Sequence, residues 1–125
     1  MTIDELEALC GKWQADMGLN DWAIYLESVD DVGTGAGDLL LTIARVEIEY
    51  AHMQAYIQVR ADTMKPYSLL HELCHLLIAD ITRAAEVIGN GDPIYETLLR
   101  DAVEKTTERL TRVFWHKLGA KNDTR

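Results

Sequence analysis

The stretch Pro66-Tyr67-Ser68-Leu69-Leu70-His71-Glu72-Leu73-Cys74-His75-Leu76-Leu77-Ile78-Ala79 decides how the chain reads. Proline suits the first turn of a helix, where its missing N–H has no intrahelical partner to lose, and no glycine or proline follows before Ala79. A helix from Tyr67 to about Ala79 is therefore expected. Leu69, Leu70, Leu73, Cys74, Leu76, Leu77 and Ile78 run around nearly its whole circumference, which makes it a helix buried on most sides. His71, Glu72 and His75 interrupt that surface.

The neighbouring segments supply the material to bury it. Upstream, Thr2 with Glu5 forms a capping box, and Ile3, Leu6, Leu9, Cys10, Trp13 and Met17 recur at helical spacing. This predicts a helix over about residues 3 to 17, with Gly18 as its left-handed cap. Trp22, Ile24 and Leu26 alternate with Ala23, Tyr25 and Glu27, the period of a half-buried strand over about residues 22 to 28. Asp30, Asp31, Gly33, Gly35, Gly37 and Asp38 read as a flexible loop. Residues 39–49 and the alternating run Met53, Ala55, Ile57 and Val59 read as a hairpin. Its turn lies near Tyr50 to His52 without an Asn-Gly signal, and the slip between Ile43 and Val46 suggests a bulge.

Downstream, Gly89 to Gly91 break the chain. Asp92 as N-cap and Pro93 as first helical residue then start a last helix reaching about Leu118, and a tail from Lys121 is expected to be disordered. The order helix, strand, hairpin, helix, helix predicts an α+β fold: one domain over residues 1–120 in which a small, mostly antiparallel three-stranded sheet packs on the central helix.

Bulk properties narrow the function classes. At 125 residues, with 48% apolar and 26% charged residues, the chain suits one globular domain that needs no structural staple. The formal net charge is −9, from 21 acidic and 12 basic residues, and basic residues gather only at Arg109, Arg112, Lys117, Lys121 and Arg125. Nucleic acid is an unfavourable partner for such a surface. The start, Met1 to Glu7, has no basic n-region or apolar run of a signal peptide, and no segment has the length of a membrane span, so a cytoplasmic protein is expected. Cys10 and Cys74 lie far apart and in apolar helical patterns, as buried free thiols do in a reducing compartment.

The chemistry sits in the interruption of the central helix. His71 and His75 are one turn apart on one helix face, the spacing that lets two imidazoles grip one metal ion. Glu72 lies beside that pair, able to take a proton from water held there. Zn2+ is the expected ion, and an imidazole pair with a carboxylate on an apolar helix would be costly without it.

A catalytic zinc site wants a third protein ligand. Asp80 is rotated by about 140° from His75 on an ideal helix and faces elsewhere. On the last helix Glu96 shares a stripe with Leu99, Val103, Leu110 and Phe114, so Glu96 is the expected third ligand. Glu104 and Glu108 lie about 80° and 120° from it and read as solvated charges. His116 is a weaker ligand candidate, read instead as a surface or C-cap residue. Tyr95, Tyr67 and His52 could each donate to an oxyanion, with Tyr95 the preferred catalytic candidate. The strand Gln54 to Arg60 could pair an extended peptide at its edge.

With His71-Glu72-Leu73-Cys74-His75 followed by Glu96, the chain resembles the gluzincin branch of the zincin metallopeptidases. The strands Trp22-Ala23-Ile24-Tyr25-Leu26 and Ala55-Tyr56-Ile57 add a similarity to the minimal zincin-like proteins of phages and prophages. The resemblance spans about residues 20 to 110. It implies zinc held by His71, His75 and Glu96, water activated by Glu72, and a peptide or protein substrate. The chain lacks the second lobe of larger gluzincins and the third histidine of metzincins. The runner-up is a zinc-stabilised interaction module of zincin fold without efficient catalysis.

Overall fold

The computed structural model describes residues 2–29, 44–60 and 64–119. The expected glycine-rich loop at 30–38, the start of the second strand and the tail from Lys121 lie outside them. The order is α1 Ile3–Asp16, β1 Ala23–Ser28, β2 Ala44–Glu49, β3 Gln54–Val59, α2 Pro66–Leu77, α3 Ala79–Ile88, α4 Pro93–Phe114 and a π-helical turn at Trp115–Gly119. This is an α+β fold.

α1 starts on the expected capping box, with Thr2 Oγ1 accepting from Glu5 N at 3.1 Å and Glu5 Oε1 accepting from Thr2 N at 3.1 Å. It ends where Gly18 takes a φ of 73°, a conformation that costs glycine little. Leu6, Cys10, Trp13 and Met17 face the core. Gln14 Nε2 donates to the carbonyls of Leu19 (3.0 Å) and Trp22 (2.6 Å), which ties the helix to the entry of β1.

The sheet order is β1-β3-β2. β2 and β3 form the expected antiparallel hairpin, paired without interruption from Ala44↔Val59 to Glu49↔Gln54, so no bulge breaks residues 44–49. The sheet is mixed rather than mostly antiparallel, because β1 runs parallel to the central strand from Ala23↔Gln54 to Ser28↔Val59. This register puts Ile24 and Ile48 opposite Ala55, and Leu26 and Val46 opposite Ile57, so one apolar face continues across all three strands. β3 is flanked on both sides. Its backbone hydrogen bonds are used within the sheet, so it offers no edge to an extended peptide. The turn that lacks Asn-Gly is closed by Glu49, whose carboxylate accepts from the backbone N–H of Ala51 (3.1 Å) and His52 (2.9 Å), while Met53 takes a φ of 51°.

α2 is the centre of the fold, packed against α1, β2, α3 and α4. Leu69, Leu70, Leu73 and Cys74 are fully buried, as the all-round apolar pattern requires. The helix stops at Leu77, short of the expected Ala79. Ile78 leaves helical geometry (φ −110°, ψ 11°), and a separate helix, α3, follows to Ile88. The last helix holds its α form to Phe114 and then widens into the π turn, where Trp115 is buried with its ring edge-on to those of Trp13 (6.5 Å) and Tyr67 (5.4 Å). α3 is turned outward: Ile81 and Ile88, on the same face as Ala84 and Ala85, are exposed, as are Ile94 and Leu98 of α4.

Candidate metal centre

The pairing of α2 with α4 builds the site. Tyr67 donates its hydroxyl to Glu108 Oε1, His71 approaches Glu104, Glu108 and Thr111, and His75 approaches Glu104 and Thr107. Partners advance along α2 as they retreat along α4, so the helices run antiparallel. The face of α4 turned to α2 carries Glu104, Thr107, Glu108 and Thr111, spaced by three, four and seven residues. Thr107 and Thr111 are fully buried there.

His71 and His75 stand with ring centroids 5.1 Å apart. Both turn Nε2 to one carboxylate: Glu104 Oε2 lies 3.5 Å from His71 Nε2, and Glu104 Oε1 lies 3.3 Å from His75 Nε2. Ligand atoms of His71, His75 and Glu104 lie within 4.8 Å of one another, a group that could hold a metal ion. Behind it, Glu108 gathers three donors: the Tyr67 hydroxyl, His71 Nδ1 at 3.3 Å and Arg112 Nε at 3.4 Å.

Electrostatics follow from the partial burial of Glu72 and His75 beside an exposed Glu104. Burial pushes the Glu72 carboxyl up to about 8, and the nearby charge of Glu104 adds to the rise. Burial pushes His75 below the usual imidazole range against the opposing pull of Glu104, with His71 lowering it further. A cation between these groups would favour ionised Glu72 and neutral His75 together, the protonation states that ligation and proton abstraction require.

His71 and His75 are brought together as their spacing implies, with Glu72 following His71 on the same helix. Glu96 is not: the group is completed by Glu104, a correction to the expected third ligand. Glu96 sits exposed in the first turn of α4, lining an open cleft with Thr82, Arg83, Arg100 and Val103 of the α3–α4 hairpin. It is eight residues, or about 12 Å of helix, from Glu104, because α2 is short and meets only the second half of α4. The stripe drawn through Leu99, Val103 and Leu110 is only half-buried, while Thr107, Thr111 and Trp115 mark the buried line. A polar line opposite a polar line is the signal that apolar counting passes over.

Tyr95 is likewise distant, about 13 Å along α4 from Glu104. Its ring covers Gly89, where any Cβ would collide with it, so Tyr95 closes the α3–α4 turn and does not join the histidines. Tyr67 reaches the site, but its hydroxyl is committed to Glu108. His52 is exposed on the hairpin, with Nδ1 2.6 Å from Glu49, and His116 is exposed in the π turn. Asp80 is exposed at the start of α3.

Among the described residues no helix is long and apolar enough to cross a membrane. Compared with protein-family models, curated proteins and solved structures, the chain matches none of them.

Proposed function

We propose that the chain is a zinc-dependent metallopeptidase of the zincin kind, with His71, His75 and Glu104 as zinc ligands and Glu72 as general base. The observation that carries the reading is the convergence of two Nε2 atoms on one carboxylate at 3.3 and 3.5 Å. For ligands about 2.1 Å from zinc, the edge of a coordination tetrahedron is about 3.4 Å. Two nitrogens and one oxygen also form a donor set that leaves the fourth position open, as hydrolysis needs.

Bound there, zinc would supply Lewis acidity to a substrate carbonyl and make nearby water a stronger acid. Glu72 takes the proton from the attacking water and returns it to the leaving amine. Burial raises its pKa in the metal-free protein, and the positive charge of a bound ion would keep it ionised and basic. Glu108 accepts from His71 Nδ1 and the Tyr67 hydroxyl, which steadies the ligand ring. The substrate class is a peptide or protein. A reducing, cytoplasmic setting is supported by Cys10 and Cys74, both free and buried.

The interaction-module reading has one observation in its favour, the outward aliphatic face of α3 with Ile81 and Ile88 more than 70% exposed. Two measurements decide between them. Mass-spectrometric metal analysis of the purified protein is expected to find about one zinc per chain, as a single mononuclear site requires. Glu72→Gln is expected to abolish hydrolysis of a fluorogenic peptide library while leaving zinc bound. Undiminished hydrolysis by that variant would exclude the mechanism, and zinc without hydrolysis in the natural chain favours the module.

A further inference from the structure

The two fully buried polar residues among those described, Thr107 and Thr111, face the back of the two histidines. Thr107 donates its hydroxyl hydrogen to the Val103 carbonyl at 2.7 Å, and Thr111 donates to the Thr107 carbonyl at 2.7 Å. A hydroxyl has one hydrogen, so each oxygen is left only with acceptor capacity. Thr107 Oγ1 lies 3.4 Å from His75 Nδ1, and Thr111 Oγ1 lies 3.4 Å from His71 Nδ1. A bare Nδ1 would set lone pair against lone pair. An Nδ1–H instead donates to the threonine, and it leaves Nε2 its lone pair for a cation held between the ring and Glu104.

We infer that Thr107 is a positioning residue that aims the His75 imidazole by accepting its Nδ1–H, and so sets the zinc affinity of the site, with Thr111 in a lesser role that Glu108 shares behind His71. The inference rests on the zinc reading above. The i−4 back-bond, which elsewhere makes threonine a poor helix residue, here serves as the device that fixes hydroxyl direction. The two positions are unequal. His75 Nδ1 faces Thr107 alone among the described polar contacts, whereas His71 Nδ1 also lies 3.3 Å from Glu108 Oε2. Loss of Thr107 therefore strands a half-buried donor, and loss of Thr111 leaves the carboxylate in place.

The test is competition against a zinc chelator, with NMR of the zinc-loaded protein to follow Nδ1–H exchange with water. Thr107→Val, which keeps the shape and removes the acceptor, is expected to weaken zinc about 10- to 100-fold and to speed exchange of the His75 Nδ1–H. Thr107→Ser is expected to restore both. Thr111→Val is expected to cost less than about 3-fold, since Glu108 still accepts. If Thr107→Val does not fold, Thr107→Ala against Thr107→Ser gives the same contrast. Unchanged affinity and exchange in Thr107→Val, or equal losses at both threonines, overturns the inference while leaving zinc binding intact. Absence of zinc binding by the natural chain overturns the zinc reading itself.

Discussion

Replacing Glu72 by Gln in the metal-free protein is expected to stabilise it at alkaline pH, and the size follows from the surroundings of the carboxyl. Burial and the neighbouring Glu104 charge raise the folded-state pKa from 4.5 to about 8. Between these values the folded chain holds a proton that the unfolded chain releases. Stability contributed by neutral Glu72 is therefore present below pH 4.5 and lost as pH rises toward 8. The full span corresponds to about 5 kcal/mol at 1.36 kcal/mol per unit. Glu72 is only half-buried by surface area, so water reaching its edge brings the expected difference to about 2 kcal/mol. For a chain of this length that is a rise in Tm of roughly 8 °C at pH 8.5, shrinking to nothing near pH 4.5. His75 contributes with opposite sign, because its lowered pKa adds stability above the imidazole range that is lost on acidification. Subtracting the natural chain from the variant removes that contribution. The assay is urea unfolding of chelator-treated protein from pH 5 to 9. Parallel pH profiles for the two chains would refute the argument from burial, and loss of the difference on adding zinc would confirm that the ion neutralises the same charge.

Glu104→Gln is expected to weaken zinc by at least about 100-fold in chelator competition, while Glu96→Gln stays within about 2-fold; equal effects would return the third ligand to Glu96. Gly89→Ala is expected to destabilise by about 1–3 kcal/mol in thermal unfolding, because the new methyl group enters the space of the Tyr95 ring. Tyr95→Ala in that background should recover part of the loss, with zinc affinity unaffected in both.

What lies in short sequence windows was legible from the chain alone. The capping box at Thr2 and Glu5, the left-handed Gly18, the Pro66 start and the Asp92-Pro93 start each act through atoms a few residues apart, so local rules suffice. The same holds for His71, Glu72 and His75, whose common face is a property of one helix. The parallel pairing of β1 with β3 depends on which side of the sheet the chain returns to, and no local spacing encodes that. The break at Ile78 has no glycine or proline to announce it. Which carboxylate stands beside the histidines was decided by the antiparallel alignment of α2 with α4, which brings Glu104 to both histidines and leaves Glu96 about two turns away along α4. Backbone geometry alone puts the two histidines on one face of a single helix; only the packing of two helices decides which carboxylate meets them.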